Sequence, residues 1–129
     1  MPNGFQGSQE EWDRLEAPLR RLDTELLAFA GCYGLALTKN LHGWPERSLA
    51  WAEGVERTIQ VLLRDAAALT YNVWIAAWED RPDGRYWKRG VVAADLPEAE
   101  LHEQLAELLE RGYARLSAVA VEDLERAGQ

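Results

Sequence analysis

The residue types that most often carry acid–base, nucleophilic or metal chemistry are sparse in this chain: two histidines, His42 and His102, and one cysteine, Cys32. No glycine-rich phosphate loop, HExxH, CxxC, GxSxG or EF-hand motif occurs in the sequence. A zinc site would have to be completed by carboxylates, and a Ser/His/Asp triad would have to use His42 or a histidine on an acidic helix. Cys32, beside Gly31 and without a motif that would activate it, suits a small packing residue. Glu53, Glu56, Glu79 and Asp80 could supply a general acid and base, yet each falls at a strand end near a turn, where solvated charge is the ordinary arrangement. The expectation is therefore no catalytic set, no metal and no cofactor, with folding independent of metal.

Tryptophan is the outlier of the composition, with six in 129 residues. An indole buries a large apolar area while keeping one N–H that wants an acceptor, a combination enriched at interfaces. Trp44 and His42 share a loop over Asn40–Arg47, marked by Gly43 and Pro45, where the pair could line a pocket. The run Arg85-Tyr86-Trp87-Lys88-Arg89 interleaves bases with aromatics, as single-stranded nucleic-acid surfaces do. Strand alternation weakens that reading, because Arg85, Trp87 and Arg89 face one way while Tyr86 and Lys88 face the other.

The elements that must position these residues begin with a helix over about 9–31. Ser8 and Glu11 form a capping box, and Trp12, Leu15, Leu19, Leu22, Leu26 and Phe29 make one apolar stripe. Pro18 predicts a kink or a fresh start, and Gly31 and Gly34 are candidate stops. Strands follow at about 33–39, 48–53, 56–64, 69–80 and 85–94. The stretch Leu69–Asp80 is the clearest, being rich in β-branched and aromatic residues. A second helix over about 96–117, opened by Asp95 and Glu98, carries Leu101, Leu105, Leu108, Leu109, Tyr113 and Leu116 on one side. A short C-terminal helix could continue from Val119. Helix, five strands, helix in a single domain of this size predicts α+β: an antiparallel meander with its helices on one face.

Turn chemistry and face matching set the expected register. Gly54-Val55 suits a two-residue hairpin that pairs Glu53 with Glu56, Trp51 with Thr58 and Leu49 with Gln60. The turn Arg81-Pro82-Asp83-Gly84 places Trp78 opposite Trp87, Trp74 opposite Val91 and Val73 opposite Val92. Matching aliphatic faces sets Val61 against Val73 and Ile59 against Ile75. In this register Trp51, Trp74, Trp78 and Trp87 share one face with Gln60 and Arg89. The aliphatic residues share the other face and receive the helices.

The formal net charge is -8, and hydrophobic residues make up 47%. Residues 1–32 hold six acids and three bases and residues 96–129 hold eight and three, while the middle is balanced. That distribution disfavours duplex nucleic acid, and no apolar run is long enough to span a membrane. The N-terminal stretch resembles no signal peptide, and a lone cysteine agrees with a reducing compartment, so a cytoplasmic location is expected. The leading functional expectation is a non-enzymatic protein-interaction module, an adaptor, chaperone or inhibitor, binding a protein partner or its own copy as a homodimer. Its expected contact residues are Trp51, Trp74, Trp78, Trp87, Gln60, Arg89 and Trp44. The alternative is a small-molecule binder or enzyme with an aromatic pocket on the same face.

Overall fold

Ser8 opens the first helix as predicted, its hydroxyl accepting from the Glu11 N–H at 3.1 Å. The computed structural model describes residues 7–41, 43–51 and 57–118, and the side chains of residues 78–81, 85–87 and 118 lie outside that description. Two helices, α1 (Gln9–Arg20) and α2 (Asp23–Tyr33), precede the strands β1 (Leu35–Lys39), β2 (Glu46–Trp51), β3 (Arg57–Asp65), β4 (Thr70–Arg81) and β5 (Gly84–Pro97), and α3 (Glu98–Ala118) follows. The strands lie side by side in chain order as an open antiparallel sheet, so the fold is the predicted α+β meander. Among the described residues no helix is long and apolar enough to cross a membrane.

The N-terminal helix is broken, but not at its proline. Pro18 is held inside the last turn of α1, and the break comes at Arg21 and Leu22. There the Leu22 N–H closes a tighter turn onto the Leu19 carbonyl at 2.9 Å, and the Leu22 carbonyl starts α2 by accepting from Leu26. The chain runs through Gly31 and stops at Gly34, whose φ of 68° is the left-handed conformation that ends a helix at least cost in glycine.

The helices cover one face of the sheet. Leu15, Leu19, Leu22 and Leu26 from α1, α2 and their junction, and Leu101, Leu105, Leu108 and Leu109 from α3, pack with Leu49, Ile59, Val61, Tyr71, Val73 and Ile75 in one core. α3 comes close to the sheet at Gly112, where an added Cβ would stand 3.3 Å from Ile75 and 3.6 Å from both Ile59 and Val92. The glycine is thus a close-packing residue.

The central register is as predicted: Ile59 pairs with Ile75 and Val61 with Val73. Trp74 pairs with Val91 and Trp78 with Trp87, around a turn whose strands close at Arg81 and Gly84. Two predicted positions need correction. Val73 pairs with Ala93 and not Val92, because β5 supplies an extra residue in each of two intervals opposite β4. These bulges let the successive residues Val92 and Ala93 both pack against the core. Asp95 belongs to this irregular part of β5 and does not cap α3. Its φ is 54°, and its N–H donates to the Asn72 Oδ1 at 2.9 Å.

The larger correction is between β2 and β3. Leu49 pairs with Ile59 and Ala50 with Thr58, one residue away from the predicted register. The proposed Gly54-Val55 hairpin itself falls outside the described residues. A one-residue slip sends every side chain of a strand to the opposite face. Here it puts Leu49 into the aliphatic row Leu37, Leu49, Ile59, Ile75, where apolar burial favours it over the predicted partner Gln60.

Candidate functional site

Two rows of paired residues run across all five strands on the face away from the helices. One is Thr38, Ser48, Gln60, Trp74 and Val91, and the other is Ala36, Ala50, Thr58, Ala76 and Arg89. Small side chains make a low floor over β1 to β3, and Trp74 rises beside it on β4. The Arg89 guanidinium lies over the Trp74 ring, 4.6 Å from its centroid. Ala36, Thr38, Arg89 and Val91 are exposed, Ala50, Gln60 and Trp74 half-buried, and Ser48, Thr58 and Ala76 buried.

Hydrogen bonding on this face is incomplete in one row. Thr58 donates to the Leu49 carbonyl at 3.2 Å. The Ser48 hydroxyl and the Trp74 Nε1, however, are shielded from solvent and have no partner. They sit on either side of Gln60 in the same row. A shielded donor without an acceptor costs on the order of 1–3 kcal/mol, so two in one row are a feature to be explained.

Of the residues predicted to share this surface, the structure brings together Gln60, Trp74 and Arg89. The backbones of Trp78 and Trp87 continue the β4–β5 pairing next to them. Trp51 does not belong here. The register slip turns it to the helix side, where its ring stacks on Tyr113 of α3 at a centroid distance of 5.3 Å. Tyr113 in turn contacts Tyr33 and Phe29, so Trp51 completes an aromatic cluster between α2, α3 and β2. Trp44 is 39% exposed, but its indole N–H is spent on the Leu63 carbonyl at 3.1 Å, fastening the β1–β2 connection to β3. His42, its predicted neighbour in a pocket, lies outside the described residues. The basic run is split as alternation requires: Lys88 is buried on the helix side and Arg89 exposed on the other.

The strongest polar arrangement was not anticipated. Arg47, on the helix side of β2, is 1% exposed and all five of its N–H donors are used. Nε donates to Asp23 at 2.6 Å, Nη2 to both Glu16 and Asp23, and Nη1 to Asn40 and the Glu46 carbonyl. Burial alone would raise the Asp23 carboxyl, but the hydrogen bond and charge of Arg47, joined by Lys39, outweigh it and hold Asp23 below its ordinary value. Burial likewise works against the Arg47 charge, and its two carboxylate partners overcome that and raise its pKa. The signal available in sequence was Glu16 itself, which occupies the i+4 place in the stripe Trp12, Leu15, Glu16, Leu19.

This ionic cluster is saturated by its own members and lies under the helices. It joins the α1–α2 junction to the sheet and leaves no group to act on a substrate. Tyr71, whose hydroxyl bonds the Leu15 carbonyl at 3.3 Å, is pushed up to about 12 by burial, with the charge of Glu98 adding to the effect. It too belongs to the core. No group of three or more His, Cys, Asp or Glu residues placed to hold a metal occurs among the described residues. Where it is exposed, the face away from the helices, called the open face below because no described helix packs on it, offers a half-buried indole and one cation. No protein-family model matches the chain, and comparison with curated proteins and with solved structures gives no match.

Proposed function

We propose that the protein is a non-enzymatic interaction module that binds a protein partner through its open sheet face, as an adaptor, chaperone or inhibitor would. The observation that carries this reading is the pair of shielded, unpartnered groups in one row, Ser48 Oγ and Trp74 Nε1. Both atoms are closed to solvent in the free chain, so a partner completes their bonds, and removes both penalties, only where docking also moves the side chains that shield them. Arg89, exposed above the indole, favours an acidic side chain opposite it. The alternative of a flat small ligand draws on the same indole, but the described residues provide one wall, Trp74 with Arg89, above a floor of alanine, serine and threonine. An exposed lone cysteine fits a reducing compartment, and we place the protein in the cytoplasm.

The test is affinity capture from the native cell with the unaltered chain and with Trp74→Gln combined with Arg89→Gln. Loss of one captured protein from the variant, at an unchanged thermal midpoint, is the expected result. Undiminished capture by the variant, or a small molecule as the only species removed with the two side chains, would overturn the reading.

A further inference from the structure

We infer that a second copy of this chain docks along the outer edge of β1 and the outward side of α2, joining two sheets into one continuous sheet. This surface is separate from the open face and does not rest on the partner reading above. The argument begins with charge. Two uncharged runs of thirteen residues occur, 66–78 and 26–38. The first is mainly the central strand β4, flanked on both sides by other strands. The second supplies most of α2 and β1, which lie at the margin of the molecule: β1 is an edge strand and α2 packs upon it.

α2 has the composition of an interior helix in a surface position. Leu26 and Ala30 are its buried residues, while beyond the exposed Thr24 and Glu25 of the first turn Leu27, Ala28, Gly31 and Cys32 face outward, with Leu27 56% exposed. From Leu26 onward the helix carries no charge on any side, and a helical stretch apolar all round is normally covered all round. The outward sides of α1 and α3 differ, since they present Glu10, Glu11 and Asp13, and Glu100, Glu103, Glu107 and Glu110. Two copies with net charge -8 each would repel across those helices, and the uncharged margin is where they can approach. An added Cβ at Gly31 would meet nothing within 4 Å, so a second backbone has room to come close.

The two sheet edges make the same point. An edge strand is a template for pairing, and proteins that remain single guard it with bulges, charges or cover. β5 is guarded: it carries two bulges, a left-handed Asp95, and the Arg115 side chain donating to the Val91 carbonyl at 2.7 Å. Among the described residues β1 has none of these. Its five paired residues are in regular register, it contains no proline, and its one charge, Lys39, is drawn away to Asp23 at 3.2 Å. A two-fold axis normal to the sheet sets β1 antiparallel to its copy and α2 antiparallel to its copy, and leaves both open faces on the same side. The assembly would be bivalent for whatever the open face binds.

Sedimentation equilibrium from low to high micromolar concentration, on the unaltered chain and on Leu27→Glu with Ala28→Glu, tests this. Both positions are exposed, and four like charges brought together should weaken a dimer about a hundredfold or more. A reversible dimer that the double substitution separates is the expected result. An unaltered chain that stays monomeric overturns the inference, as does a dimer unaffected by the substitutions or one lost with Trp74→Gln instead. Should the variant fail to fold, amide exchange in the unaltered chain decides: protection of residues 35–39 must rise with concentration, and protection independent of concentration refutes the pairing. Partner binding by a monomeric variant remains measurable, so failure here and failure of the open-face reading are separate results.

Discussion

The α1–α2 junction and the Ser48–Trp74 row, on opposite sides of one sheet, treat their buried polar groups differently. At the junction Arg47 is answered by two carboxylates, an amide and a carbonyl, whereas elsewhere on the helix side Arg57 Nε and His102 Nε2 are shielded without a partner. On the open face a serine and an indole are shielded and unanswered. A fold can carry polar groups inside when it completes their bonds itself, and groups it leaves incomplete are open to completion by something else. The difference separates residues that hold the chain together from residues whose bonds the chain leaves incomplete.

The largest expected effect breaks the covered side. Arg47→Ala removes the cation and leaves Glu16 and Asp23 facing each other in a nearly dry site, and loss of one partner from a buried pair costs about 3–5 kcal/mol. Denaturant midpoints should show that loss, a large part of the 5–15 kcal/mol typical of a domain. A variant of unchanged stability would mean that the cluster is not the tie between helices and sheet. Ile75→Ala comes next, at about 2–5 kcal/mol, because it empties space against Gly112 where α3 packs close to the sheet.

These two residues also show what could be read in advance. Ile75 was placed correctly because both middle strands are aliphatic on one side, so only one register matches Ile59 with Ile75 and Val61 with Val73. β2 offers no such contrast. Ser48 and Ala50 are small enough for either face, Trp51 suits either, and a glycine-led turn argued for the register that proved one residue off. Face matching of Leu49 with Ile59 would have given the observed pairing, and it would have brought Arg47 inward and Trp51 under α3. Burying an arginine is intelligible only once Glu16 and Asp23 are known to meet it. That meeting depends on the break at Arg21 and Leu22, which follows Pro18 by three residues and which proline rules alone place earlier. Of the predicted contact set, Trp74, Gln60 and Arg89 follow from alternation along well-patterned strands.

On the open side the expected effect is smaller. Trp74→Gln should change stability by no more than about 1 kcal/mol, since it removes a half-buried ring and with it an unsatisfied donor. A cost of about 3–5 kcal/mol, the range for truncating a core aromatic, would show that this face is a second core and would erase the contrast between the two sides. The same denaturant curves used for Arg47 and Ile75 give the answer.

The smallest effect is a dependence on acid that belongs to one face alone. The folded-state pKa of Asp23 lies below its ordinary value of 3.8, so between those two values the unfolded chain binds more protons than the folded one. The stability Asp23 contributes is therefore fully present above its ordinary value and is lost as pH falls through the lowered one. Denaturant midpoints measured from pH about 5 downward should fall, and Asp23→Asn, which cannot take up the proton, should flatten part of that fall. Trp74→Gln should instead run parallel to the unaltered chain, because no titrating carboxylate on the described open face is linked to the indole. A Trp74→Gln curve whose acid slope differs from that of the unaltered chain would show that the open face and the ionic cluster beneath the helices are energetically coupled through the sheet. The separation drawn between them would then fail even if both stability costs came out as expected.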